Sequence, residues 1–363
     1  MPSATSHNDP AVSPMTQPWP AHFTTVKDEF SVLRSTAGVF HASNRAKIRL
    51  TGNDRVRWLN GMITNNIRDL ARGYGVYAFL LNPQGHILGD LYAYHHGDSF
   101  LIDTDQSQLD KILATFDHYI IMDDVEVDDI SGTLTTVGLI GPSSQSILKA
   151  AGLTIADLQP LQFTEVTLGE IPCTLIRGPH RSCSGRPTLP APFAGGWDCF
   201  ELWVSPKHGA EVIARVQSAG ATPVGHEALE LHRIALGAPR YAQDIRERDL
   251  PQETEQSQAL NFNKGCYVGQ EIVERIRSRG NVHRKFTGFR TSAPRPAPGL
   301  KIQLQAKDVG EITSTATIPG PQGDQTVALG YIRREFSTPG KEVQIDGQSA
   351  TISDLPFADL LAS

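Results

Sequence analysis

Lys264-Gly265-Cys266-Tyr267-Val268-Gly269-Gln270-Glu271 is the stretch of this 363-residue chain whose residue types and spacing point most directly to chemistry. Two glycines bracket a lone cysteine, a lysine precedes it and an amide–carboxylate pair follows. Glycine tolerates backbone angles that cost a residue with a Cβ, so the chain can turn tightly at both ends. Beyond them Ile272, Val273 and Ile276 recur at near-helical spacing among Glu274, Arg275, Arg277 and Arg279, and Gly280 is a stop signal. Cys266 is therefore expected in a turn at, or just before, a helix N-terminus. Unpaired N–H groups and the positive end of the helix dipole favour a thiolate there, and Lys264 adds charge. The competing reading makes Cys266 a small buried hydrophobe. Arg275, Arg277, Arg279, Arg284 and Lys285 form a basic stretch, read either as a solvated face or as a landing site for anions or an acidic partner.

The composition bounds what such a site can serve. A hydrophobic fraction of 39% and a charged fraction of 20% describe an ordinary soluble globular protein with room for two or three domains. The formal charge of −6 argues against a protein that coats nucleic acid or a membrane surface. The cysteines Cys173, Cys183, Cys199 and Cys266 never form Cys-x-x-Cys, which favours a reduced compartment, and no complete metal-ligand set is visible. His180-x-x-Cys183 is the nearest approach and reads as chance adjacency in a polar loop. No apolar run approaches the roughly 20 residues of a membrane span. Residues 1–22, rich in Ser, Thr and Pro, lack the basic start and apolar centre of a secretory signal and read as a disordered tail, so a cytoplasmic location is expected.

The elements that must position the motif follow from periodicity. A helix starts near Thr25, short strands cover Val39-Phe40 and Ile48–Leu50, and a capped helix follows Asp54. Gly61 to Leu70 reads as a short helical connection. Residues 75–103 read as an antiparallel meander, followed by a helix through Phe116, strands near 125–128 and 134–140, and a helix to Leu148. Strands resume over 160–205, broken by a Pro/Gly/Ser/Arg-rich loop from Gly178 to Gly196. Helices are expected over 207–217 and 225–236, and Pro239 to Glu253 is irregular and charged. After Arg284 short alternating strands with Pro/Gly turns predict a small β-barrel or sandwich, with Pro294 to Pro298 as a linker. Hairpins interleaved with helices indicate an α+β fold, and no Gly-x-Gly-x-x-Gly or P-loop is present.

The motif Lys264–Glu271 resembles the signature of the YgfZ family of folate-binding proteins, relatives of the glycine-cleavage T-protein, an aminomethyltransferase. Leu236–Tyr241, Asp244-Ile245, Leu250–Glu253, Arg279-Gly280, His283-Arg284 and Gly330–Arg333 are also similar, so the resemblance spans about residues 25 to 357. It implies a T-protein-like three-domain ring around a folate pocket: a discontinuous α+β domain and a ferredoxin-like domain within residues 23–284, and a C-terminal β-barrel over 285–363.

The resemblance also implies roles. Cys266 matches the hallmark cysteine, with Lys264 and Gln270 beside it as folate-site candidates. Glu201 is placed like the T-protein glutamate that holds the pterin, whose adjacent N–H donors suit a carboxylate; by alternation alone it is a solvent-facing strand residue. Arg233 is placed like a substrate-site arginine, guanidinium forks suiting carboxylates; otherwise it is a surface arginine on an amphipathic helix. Asp90 falls where the T-protein has two adjacent aspartates, one its catalytic acid, but Gly89 replaces the first. A tyrosine that follows the T-protein's C-terminal Pro-Phe is also missing after Pro356-Phe357. The function so implied is a tetrahydrofolate-binding accessory protein for assembly or maintenance of iron–sulfur clusters, centred on Cys266, with client or assembly proteins as partners. The alternatives are a folate-dependent one-carbon transferase or demethylase using Asp90 and Glu201, and a folate-linked tRNA-modification factor.

Overall fold

The structure is a computed structural model, described here for residues 18–155, 157–178, 198–280, 282–320 and 322–362. Residues 1–17 of the expected tail, the loop 179–196 with His180 and Cys183, and the Arg279 side chain lie outside the described residues. In chain order the first elements are α1 (Val26–Ser35), β1 (Gly38–His41), β2 (Arg45–Thr51), α2 (Arg55–Met62), β3 (Gly75–Leu81), β4 (Ile87–His95), β5 (Phe100–Asp105), α3 (Leu109–Tyr119) and β6 (Glu126–Asp129). Then come β7 (Thr135–Gly141), α4 (Ser144–Ala150), β8 (Phe163–Leu168), β9 (Ile171–Arg177), β10 (Asp198–Val204), α5 (Gly209–Ser218), β11 (Thr222–Pro223), α6 (His226–Leu236) and α7 (Gln270–Arg279). The C-terminal part holds β12 (Arg284–Thr291), β13 (Lys301–Leu304), β14 (Lys307–Gly320), β15 (Gly323–Arg333), β16 (Glu342–Ile345), β17 (Gln348–Ser353) and α8 (Ala358–Leu361).

These elements make three units, as an α+β chain of this order should. The first is a six-stranded sheet, β11-β1-β7-β10-β9-β8, discontinuous in sequence because β2 to β6 are inserted between β1 and β7. Val137, Leu139, Phe200, Leu202 and Val204 face Leu148, Val212 and Val216 of its helices, each apolar side chain removed from water contributing about 1.5–3 kcal/mol. The second is a ferredoxin-like sheet, β3-β4-β5-β2-β6, with α2 and α3 on one face. Ile48, Leu50, Ala78, Leu80, Leu91 and Phe100 pack there against Trp58, Leu59, Ile112 and Phe116. The third is a closed six-stranded barrel, β12-β15-β14-β13-β16-β17.

Contacts run around a ring. The two sheets meet face to face, with Trp203 edge-on to Tyr94 at 5.2 Å between centroids. The ferredoxin-like unit holds the irregular segment 237–260, where the Asp249 carbonyl accepts from Ile87 N–H at 3.1 Å. That segment binds the barrel through Arg246 and Glu311, 2.5 Å apart. The barrel packs against α6 and thereby returns to the first sheet, Ile234 and Leu236 lying among Phe286, Leu329 and Leu355.

Residues 18–22 are not part of a free tail. The Trp19 indole donates to the Val224 carbonyl at 2.8 Å, and the N–H groups of His226 and Glu227 donate to the carbonyls of Pro20 and Ala21. Gly61 to Leu70 is irregular apart from the end of α2: Ile63 bridges Leu80 of β3, the Thr64 N–H donates to the Phe79 carbonyl, and the Thr64 carbonyl accepts from the Asn261 N–H. Pro294–Pro298 joins β12 to β13 inside the barrel instead of linking two domains. Gly237 ends α6 at φ +70°, and a Cβ there would come within 2.7 Å of Leu355. Gly237→Ala should therefore destabilise the protein by about 1–3 kcal/mol; an unchanged thermal midpoint would show that the α6–barrel junction adapts freely.

Candidate functional site

Strand alternation decides what enters the space between the two sheets. On β10, Phe200, Leu202 and Val204 belong to the helix-packed core, so Glu201 and Trp203 point the other way. That opposite face is covered by the second sheet, and Glu201 is 8% exposed, not the solvent-facing strand residue that alternation alone allowed. From the second sheet Arg45 and Lys47 on β2, Asp103 on β5, and Tyr92 and Tyr94 on β4 come into the same space. Asp103 accepts from the Lys47 ammonium at 2.7 Å and from Arg45, and Lys47 also donates to Thr136 Oγ at 2.9 Å. Burial alone would raise the Asp103 carboxyl, but the adjacent Arg45 and Lys47 hold it well below the ordinary carboxylate range. Lys47 stands 4.4 Å over the Trp203 ring, whose Nε1–H donates to Glu201 Oε2 at 3.0 Å. The ammonium paired with Asp103 thus braces the indole that orients Glu201. With Oε2 so oriented, Glu201 is a carboxylate able to accept from a planar N–H donor beside aromatic walls.

Asp90 reaches the same space from β4. Its Oδ2 accepts from the Tyr77 hydroxyl at 2.8 Å and its Oδ1 from the Gln108 amide at 2.7 Å, so two neutral donors fix the carboxylate. Asp90 and Glu201 both lie near enough to Arg45 to raise its pKa. Position 89 faces the other way: a Cβ on Gly89 would meet Gln108 Oε1 at 3.0 Å and Ile112 at 3.5 Å, against α3. Of the two positions, only 90 carries its side chain between Tyr77 and Gln108.

The cysteine motif sits on the far part of this hairpin. Tyr267 is buried with Tyr77, Phe79 and Leu81, and burial pushes its hydroxyl up to about 12, helped by Glu274. The Lys264 ammonium turns inward and donates to the carbonyls of Asn60, Ile63 and Asn65 at 2.6, 2.6 and 2.7 Å. Burial, then the nearby Arg68 charge, brings it down to about 7. The expectation that Lys264 lends its charge to the thiol therefore gives way to a clamp that fixes the 60–65 loop. Gly269, at φ +81° and 2.6 Å from the Asn82 carbonyl by its would-be Cβ, begins α7. Gln270 is the first helical residue, its Oε1 accepting from the Tyr267 N–H at 3.3 Å. Cys266 precedes the helix by a full turn and is exposed, which excludes the buried-hydrophobe reading. Among the described residues no group of three or more His, Cys, Asp or Glu side chains is placed to hold a metal.

Arg233 is neither a surface residue nor open to a ligand. It donates to Glu230 at 2.9 and 2.7 Å, to the Ala238 carbonyl at 2.5 Å, to Asp244 at 2.8 Å and to Ser314 Oγ at 2.9 Å, which occupies all five guanidinium N–H groups. It ties α6 to β14 of the barrel. Arg233→Lys, unable to reproduce the fork, should cost about 2–4 kcal/mol in a denaturant titration; wild-type stability would refute the structural assignment. The basic stretch is split as well. Arg284 pairs with Asp249 and Glu253 at 2.6 and 2.8 Å, whereas Arg277 lies on the Phe262 ring, 4.6 Å from its centroid.

Trp203, Tyr77 and Gln108 escaped sequence reading. Only Trp203 left a readable signal, its i, i+2 spacing from Glu201; the partners of Asp90 arrive by tertiary folding.

Comparison with known proteins agrees with this architecture. Residues 10–185 match the model of the GCVT N-terminal domain, and residues 284–359 match that of the glycine cleavage T-protein C-terminal barrel domain. An aminomethyltransferase of Rippkaea orientalis is 28% identical over 93% of this chain and 90% of its own length. One from Halothermothrix orenii is 26% identical, covering 93% of each. The crystal structure of the glycine cleavage system aminomethyltransferase T from Bartonella henselae shares the fold with a TM-score of 0.79 at 21% identity, over 92% of this chain and 90% of that one. Residues 10–185 and 284–359 thus resemble the two domains of the glycine cleavage T-protein, and the likeness to aminomethyltransferases runs over nine-tenths of the chain.

Proposed function

We propose that the chain binds a reduced folate between its two sheets and uses Cys266, outside that pocket, in assembly or maintenance of iron–sulfur clusters in other proteins, as the YgfZ-type motif implies. The observation that carries this reading is the separation of two chemistries. Glu201 is a buried carboxylate oriented by Trp203, suited to the donor edge of a pterin, whereas Cys266 is exposed on a turn held by Lys264. Glu201 accepts from the pterin ring, the tyrosines beside it wall the ring off from water, and Asp90 stands by with both oxygens already oriented. A cluster or thiol partner meets Cys266 from solvent and supplies its remaining ligands, since the described residues present no metal-ligand group.

Calorimetric titration with tetrahydrofolate tests this directly. Wild type and Cys266→Ala should bind alike, and Glu201→Gln should bind about 10- to 100-fold more weakly, a charge-assisted pair being lost. In cells, Cys266→Ala should lower iron–sulfur enzyme activities while folate binding persists. No heat with wild type removes the folate premise, and normal activities remove the cluster role.

One observation favours a second reading, folate-dependent one-carbon transfer. The Gly89 departure lies on the helix-packed face of β4, so Asp90, held by Tyr77 and Gln108, keeps its place. On this reading purified protein turns over an aminomethylated or methylated amine with tetrahydrofolate, and Asp90→Asn stops it.

A further inference from the structure

Glu201 and Arg45, charges of opposite sign between the two sheets, each keep one polar atom uncommitted. Glu201, 8% exposed, spends Oε2 on the Trp203 indole, and its Oε1 takes no hydrogen bond among the described residues. Arg45, whose side chain is 9% exposed, spends Nε and Nη2 on the two oxygens of Asp103, and its Nη1 makes none among the described residues. Neither atom is sealed: the unpartnered polar atoms that solvent cannot reach lie on other described residues. Lys47 has nothing comparable to offer. Its side chain is 1% exposed, and its ammonium is held by Asp103, Thr136 and the Trp203 ring.

Strand register fixes where Arg45 stands. Lys47, Asp103, Tyr92 and Tyr77 pair in turn across β2, β5, β4 and β3 and make one row on the pocket face. Arg45 on β2 and Asp90 on β4 each precede a member of that row by two residues, on strands that run the same way, so they share the next row. The two bonds to Asp103 hold the guanidinium plane, so Nη1 is aimed and cannot swing as a lysine ammonium would. Glu201 and Asp90 both act on that guanidinium by charge.

An open acceptor on Glu201 beside an open donor on Arg45 reads a particular edge. In a reduced pterin the 2-amino group and N3–H are adjacent donors, and the 4-oxo oxygen next to N3 is an acceptor. We propose that Arg45 is a specificity-determining residue of the inter-sheet pocket: with Glu201 on the 2-amino and N3–H donors, Arg45 Nη1 donates to the 4-oxo oxygen. The assignment rests on the folate reading above and adds which ring is selected. A 2,4-diamino ring puts an amine where the oxygen should be and has no N3–H for Glu201. Two donors then face each other where water hardly reaches, and the ring is rejected.

Calorimetry of the full chain with tetrahydrofolate and tetrahydroaminopterin, which differ in oxygen against amine at position 4, tests it. Wild type should bind tetrahydrofolate at least about tenfold more tightly. Arg45→Lys keeps a cation for Asp103 but loses the fork. It should weaken tetrahydrofolate binding about tenfold and leave the diamino compound within about twofold, so the preference disappears. Equal affinity of wild type for the two ligands, or tighter binding of the diamino ring, overturns the assignment while the folate reading stands. So does a variant that keeps the preference, or one that loses both ligands equally, as a mere brace of Asp103 would. If the thermal midpoint shows that Arg45→Lys does not fold, the wild-type preference alone decides. Binding of neither ligand removes the folate reading and the assignment with it.

Discussion

Asp103→Asn should lower the unfolding free energy by about 3–5 kcal/mol, the largest single-residue loss expected in this chain. Asp103, Arg45 and Lys47 have side chains that are 2%, 9% and 1% exposed, so two cations depend on one carboxylate in a space water hardly reaches. Removing the negative charge leaves both cations without their hydrogen-bonded carboxylate, Glu201 acting on them only at longer range, and disfavours further the Lys47 ammonium that burial already opposes. The sign of the pH dependence follows from the direction of the Asp103 shift. Its folded-state pKa lies below the unfolded value of about 3.9, so its contribution is complete above that value and is lost as the pH falls toward the folded-state value. The gap between wild type and Asp103→Asn should accordingly be full at pH 7 and shrink only below about pH 4. Urea titrations at both pH values check this. A loss under about 1 kcal/mol at pH 7, or a gap that widens in acid, would contradict it. Replacing Lys47 by Met in the same protein should recover part of the loss, because one stranded cation goes with it.

Lys264→Met should cost about 3 kcal/mol or more, since it leaves three interior carbonyls without their donor and fills the channel with an apolar chain of similar length. The local effect should exceed the global one. Residues 60–68 and 264–270 should exchange amide hydrogens faster than the sheets, and the Cys266 thiol should lose its fixed presentation. Burial has brought the ammonium to about 7, below the free amine at about 10.4, so the unfolded chain keeps its proton to higher pH. Wild-type stability relative to Lys264→Met should therefore rise between pH 7 and about 10. Unchanged exchange around the motif, with a flat difference over that range, would mean that the clamp is dispensable.

Much of the architecture was legible because it depends on local pattern. The apolar run 76–81, the turn residues Asn82–Gly85 and the return 87–94 mark a hairpin wherever it sits, Thr25 and Asp54 announce helix starts, and short strands with Pro/Gly turns after Arg284 announce a barrel or sandwich. The octapeptide likewise announced a turn bracketed by glycines. What side chains do at distance was not legible. Arg233 reads as a ligand or a surface residue until Glu230, Asp244 and Ser314 are seen to use its whole fork. Lys264 reads as charge for a thiol until the Asn60, Ile63 and Asn65 carbonyls are seen to claim it.

By itself, then, the sequence determined the order of most elements, a C-terminal β-barrel or sandwich and an exposed or buried thiol in a glycine-bounded turn, all read from neighbours along the chain; that the C-terminal strands close into a barrel is seen only in the structure. Tertiary structure alone decided that Cys266 is exposed and stands a full turn ahead of its helix. It also decided that Glu201 is buried because a second sheet covers its face, and that Asp90, not position 89, meets Tyr77. The physical reason is common to these cases: a polar group's role is set by whichever donors and acceptors reach it once water is excluded, and those come from residues up to about two hundred positions away, as in the bond from Lys264 to Asn60.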